Sequence, residues 1–179
     1  MMLAASGTLG RFFAGICEHV FESRLGVVDP PLVDYVTDLM VRFVRFDCLT
    51  RVRSPSGEPI QAVVDMLGEA ESRSGIARRD VHRHIGDVTL FWTGVYPESL
   101  PALKDVSRKD FFVNYCEQGK RAYFLASTIE TDRGEDASRD ILERLSREFE
   151  LCAYGLGEVR REWERRDEDG PSPKGIIIK

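Results

Sequence analysis

His84 and Asp87 are the pair in this sequence whose chemistry invites the first test. Three residues apart on a helix, they share a face. A carboxylate beside an imidazole raises its pKa and fixes its tautomer, which is the geometry of an oriented base. The more frequent outcome for such a pair is structural: a polar tie between its helix and a neighbour, with Gly86 and Gly94 allowing close backbone approach. Trp92, Tyr96, Tyr115, Tyr123 and Phe124 follow within forty residues or so of the pair. They could wall a pocket for a flat or apolar ligand, with Arg121 or His84 orienting it, although aromatics at helical spacing are more often core. The candidate ligand-binding residues are therefore His84, Asp87, Trp92, Tyr115, Arg121 and Tyr123.

Other chemistries find less support. His82 and His84 are two apart, so on a regular helix they point in different directions. A di-iron bundle wants Glu-x-x-His on two helices, and the sequence has none. His19 lies one turn from Glu22 beside Glu18, which is one pair rather than a site. A haem bundle would need an axial histidine facing an apolar cavity. There is no Gly-x-Ser-x-Gly elbow, no P-loop and no Gly-x-Gly-x-x-Gly after a strand. Gly155-Leu156-Gly157 falls inside a helical pattern. Cys116, next to Tyr115 and Glu117, reads as an inert buried thiol. Neither a metal nor a cofactor is expected, and no catalytic residue is assigned.

The elements that must position these residues are helical. Helix one is expected from about Ser6 to Arg24, with Leu9, Phe12, Phe13, Ile16, Cys17, Val20 and Phe21 at helical spacing, and Gly26 ends it. Asp29 before Pro30 and Pro31 is an N-cap with proline in the first turn, opening helix two through Leu32, Val36, Leu39, Met40, Phe43 and Val44 to about Asp47. Pro59 can open helix three, which runs towards Ser74, where Gly75 breaks the chain. Helix four spans roughly Arg78 to Tyr96 and stops at Pro97. Ser107 caps helix five with Asp110 in reciprocal position, and that helix ends between Ser127 and Gly134.

Helix six carries the most regular pattern. Leu142, Leu145, Phe149, Cys152, Leu156, Val159 and Trp163 form an a/d seam over three heptads, flanked by Glu and Arg. Gly155 and Gly157 weaken it by about 1 kcal/mol each relative to alanine. Such a seam packs inside its own bundle or against a second copy. Leu145, Phe149, Cys152, Leu156, Val159 and Trp163 are thus the candidate interface residues. The expected fold is an all-α, single-domain bundle of about six helices over residues 1–166, with a flexible tail at 167–179 whose Ile176, Ile177 and Ile178 could dock on a neighbouring surface.

Composition agrees. The chain has 179 residues, 42% hydrophobic and 31% charged, the balance of one globular domain with a real core. A net charge of −5 disfavours a nucleic-acid partner. Arginine outnumbers lysine 20 to 5, and the Arg78-Arg79 and Arg160-Arg161 pairs stand beside acidic residues as solvated faces. Cys17, Cys48, Cys116 and Cys152 lie far apart, which reads as free thiols in a reducing compartment. The first residues lack a basic signal-peptide region, and no run approaches the ~20 apolar residues of a membrane span. A cytoplasmic protein is expected.

The pattern His84-Ile85-Gly86-Asp87, then Leu90-Phe91, Gly94 and Tyr96-Pro97-Glu98, is similar to one in uncharacterised bacterial all-helical proteins. Phe112, Tyr115, Gly119, Ala122-Tyr123 and Leu125-Ala126 extend the resemblance over about 84–126. It implies that helices four and five form a unit built around glycines and tyrosines, and it carries over no activity. The expected function is a non-catalytic binding or assembly protein acting through protein contacts, by partner binding or self-association. The alternative is a small-molecule-binding or enzymatic bundle with its site between helices four and five.

Overall fold

The hydrophobic periods fold as helices, and one central helix is enclosed by four others. The computed structural model describes residues 7–44, 56–57, 62–100, 108–130 and 137–169. They form α1 (Thr8–Glu18), α2 (Pro30–Val44), α3 (Val63–Ser72), α4 (Gly75–Val95), α5 (Arg108–Thr128), α6 (Arg139–Arg147) and α7 (Phe149–Asp169). After α1 the chain winds on as π-helix over His19–Arg24, and a single 3-10 turn, Pro97–Ser99, follows α4. No strand occurs among the described residues, and the fold is an all-α bundle.

The central helix is α4, which packs against α2, α3, α5 and α7 and pairs most extensively with α5. From Val81 to Val95 only Arg83 and Trp92 keep partial exposure. A helix enclosed this way has no broad wet face, so its apolar residues need not follow a single stripe. Its buried threonines are satisfied locally: Thr89 donates to the Ile85 carbonyl and Thr93 to the Thr89 carbonyl, both at 2.7 Å. Two glycines set the approach of its neighbours. A Cβ at Gly86 would stand 2.6 Å from the Tyr123 ring, and one at Gly94 2.8 Å from Leu156 Cβ and 2.9 Å from the Ala153 carbonyl oxygen. Only a bare backbone lets α5 and α7 come so near.

Local signals place most helix ends. Asp29 does cap α2: its backbone carbonyl accepts from Leu32 and Val33, and its Oδ1 accepts from the Leu32 amide at 3.3 Å. Its other carboxylate oxygen takes Arg144 of α6 at 2.5 Å, tying two helices distant in sequence. The break expected at Gly75 falls instead at Arg73 and Ser74, and Gly75 is the first residue of α4 with φ +55°. Pro59, the Ser107–Asp110 cap, Cys48 and Ile176–Ile178 lie outside the described residues or side chains. At the other end, α7 continues to Asp169, past the Arg166 expected to close the bundle.

The expected sixth helix is two. Glu148 leaves helical geometry at φ −102°, ψ 23°, its amide closing α6 on the Arg144 carbonyl and its own carbonyl opening α7 to Cys152. The bend lets α6 pack mainly on α5 while α7 follows α4 and α1. The heptad spacing survives the bend because both halves turn their apolar residues to one core. Leu145, Phe149, Cys152, Leu156 and Val159 are fully buried and Trp163 nearly so, in edge-to-face contact with Phe13 of α1. The Phe21 ring occupies the space a side chain at Gly155 would need. In this fold the seam is therefore used inside the chain, and any surface offered to a second copy lies elsewhere.

Leu156→Lys should consequently prevent stable folding rather than release a folded monomer, because it buries an unpaired charge. Tyr154→Lys, on the exposed side of the same helix, should leave the thermal melt within about 0.5 kcal/mol of the parent. A folded, soluble Leu156→Lys protein by circular dichroism would refute this packing.

Candidate functional site

The polar residues of greatest chemical interest meet where α2, α4 and α5 converge. Asp87, 1% exposed, is the centre. Its Oδ1 accepts from Tyr35 of α2 at 2.6 Å and from Tyr123 of α5 at 2.8 Å. Its Oδ2 accepts from Arg42 Nη1 at 3.0 Å, and Arg42 Nε in turn donates to Asp38 at 2.8 Å. Arg83 Nε donates to the Tyr35 hydroxyl at 3.1 Å, with its guanidinium over the same ring. Three helices are thus joined through one carboxylate.

Burial alone would push the Asp87 pKa up. The charges of Arg42 and Arg83 and the two phenol hydrogen bonds outweigh that, and the net direction is down. Burial and the neighbouring carboxylate raise both tyrosines, so each phenol stays protonated and keeps donating. A carboxylate held ionised by this many donors is a poor proton acceptor. It is suited to fixing helices rather than to shuttling protons.

His84 does not hydrogen-bond within this group, although it faces the same place. Its ring stacks on Phe43 of α2 at 6.3 Å and 22°. Together His84, Asp87, Asp80 and Arg83 line a concavity of about 10 Å³. That is room for about one water molecule.

The other expected ligand-binding residues are dispersed. Trp92 packs with Phe91 and Tyr96 two turns further along α4, where Arg160 of α7 covers Tyr96 at 4.5 Å. Tyr115 is half-buried towards the start of α5, and Arg121 is exposed. Of the six residues, the structure joins His84 and Asp87 at one concavity and Tyr123 to Asp87; Trp92, Tyr115 and Arg121 stand apart. Spacing on α4 could not reveal Tyr35 and Arg42, which complete the network. One signal was present in Leu39-Met40-Val41-Arg42-Phe43-Val44, where an arginine interrupting an apolar run implies a counter-charge on a neighbouring helix.

His82, on the face of α4 that carries Gly86 and Thr89, is buried, and neither ring nitrogen has a hydrogen-bond partner among the described residues. Burial, then the charges of Arg78 and Arg121, lower its pKa. Burial raises the thiols of Cys17 and Cys152 to about 12 and that of Cys116 to about 11, so all three are protonated and unreactive at neutral pH. Among the described residues no three His, Cys, Asp or Glu side chains form a metal-sized group, and no helix is long and apolar enough to cross a membrane.

The chain matches no protein-family model, no curated protein and no solved structure.

Asp87→Asn should cost up to about 3–5 kcal/mol of stability in urea titration, because Arg42 keeps only the more exposed Asp38 as counter-charge and the acceptor shared by Tyr35, Tyr123 and Arg42 loses its charge. Tyr123→Phe should cost about 1.5–3 kcal/mol, one hydrogen bond to a charged acceptor. Acid should act in two steps. A histidine whose folded pKa lies below its ordinary 6.5 binds more protons unfolded, so its contribution falls as pH drops below 6.5. A depressed aspartate keeps its contribution above its ordinary 3.8 and loses it as pH falls through the lower folded value. His82→Gln should remove the first step and leave the second in a pH series of melts.

Proposed function

We propose that this chain is a non-catalytic binding or assembly protein that works through protein–protein contacts. The observation that supports it most is the saturation of Asp87. The carboxylate that would have oriented His84 as a base is instead bonded to three side chains from two other helices and held ionised. Its chemistry goes into rigidity, and a rigid bundle acts through what it presents outside. Large apolar side chains stand outward on three helices: Val64 on α3 is 78% exposed, Phe124 on α5 54% and Tyr154 on α7 57%. Phe and Tyr at such positions supply contact area at low conformational cost.

A second reading, ligand binding beside α4, draws on the concavity shared by His84, Asp87, Asp80 and Arg83. At its present size it would have to open to admit more than about one water molecule.

Native mass spectrometry of the chain purified from its own cells separates the two. The first reading expects a protein complex of fixed stoichiometry. Phe124→Ser or Tyr154→Ser should weaken it at least about tenfold, roughly what removing one aromatic anchor costs, with the thermal melt unchanged. A monomer carrying a stoichiometric small molecule, lost in His84→Ala, would overturn the first reading in favour of the second.

A further inference from the structure

The basic group formed by Arg78, His82 and Arg121 is used by neither reading above. Arg78 and His82 lie four residues apart on α4, hence on one face, and Arg121 belongs to the helix packed most closely against α4. Elsewhere the arginines of this acidic chain mostly find carboxylates: Arg42 has Asp38 and Asp87, Arg73 has Glu69, Arg144 has Asp29, and Arg160 has Glu98 and Glu164. Arg78 and Arg121 have no ion pair among the described residues, even though Glu117 stands one turn from Arg121 and Asp80 two residues from Arg78. The His82 imidazole, on which both arginine charges act, is only 3% exposed and has no hydrogen-bond partner at either nitrogen among the described residues. Among the described residues this buried polar ring has no hydrogen-bond partner and the two guanidiniums have no ion pair, and one group would satisfy all three: an acceptor with negative charge.

We infer that Arg78, His82 and Arg121 form a binding site for a small oxyanion of the phosphate class between α4 and α5. The guanidiniums supply planar donor pairs that match an oxyanion's edges. His82 donates one ring N–H while neutral, and an anion beside it favours the doubly protonated ring. Arg78 is half-buried and Arg121 exposed, so both side chains can swing to admit the ion to the ring beneath. The charges that bear on His82 come from its own helix and from α5, and both are positive. An anion therefore opposes the positive field at the ring, and binding should raise the His82 pKa.

The test is titration of the full chain with inorganic phosphate at constant ionic strength, followed through the histidine ring signals by NMR. His19, His82 and His84 are the only three histidines, so His82→Gln assigns the one that matters. The site predicts saturable shifts of the His82 signals, a rise in its pKa, and affinity at least about tenfold lower in Arg78→Gln/Arg121→Gln, the loss expected for charge-assisted hydrogen bonds. Both arginine side chains reach solvent, so the double variant should retain the parent melt. Signals of His82 that do not move with phosphate, that move equally with sodium chloride, or that titrate identically in the double variant would each overturn the inference.

Discussion

A single buried negative charge organises the centre of this protein. Asp87 is removed from water, and that is tolerable only because two phenols and a guanidinium meet it from α2 and α5. Each of those groups would itself be costly to bury alone. The requirement is mutual: α2 must deliver Tyr35 and Arg42 at one height on α4, and α5 must deliver Tyr123 at the same height. Hydrophobic contact between helices tolerates sliding, because one apolar side chain substitutes for another. Hydrogen bonds of 2.6–3.0 Å do not. The network thus sets the register of three helices, which apolar burial alone would leave loose.

The enclosure of α4 follows from the same arrangement. With α5 on one side, α2 on another and α7 along its C-terminal half, the helix has little solvent-facing surface. Its composition answers that position. Threonines return their hydroxyls to the helix's own carbonyls, and glycines stand where Tyr123 and the α7 backbone come closest. Gly86 adjoins Asp87 in sequence, so the residue that admits the Tyr123 ring stands beside the one that accepts its hydroxyl.

The long apolar seam shows how one sequence pattern can serve two packings. Its period of three and four reads as a single helix, and the residues it names are all in the core. The turn at Glu148 changes which neighbours they meet without changing the side on which they lie. That freedom exists because α6 and α7 surround a common interior, whereas a two-stranded coiled coil would have required the helix to stay straight.

Local chemistry was legible in the sequence by itself. The helical periods, the cap at Asp29 with its two prolines and the inward placing of Cys17, Cys116 and Cys152 all depend on residues within a few turns of one another. What Asp87 binds, where the last seam bends and which carboxylates the described arginines meet were decided by the tertiary structure. The partners of Asp87 stand 36, 45 and 52 residues away in the chain. Periodicity states which face of a helix turns inward; it does not state which residue of another helix stands opposite. His84 and Asp87 were therefore correctly placed on one helix with Gly86 between them, while the tyrosine and arginine of α2 that give Asp87 its role emerged only once the helices were packed.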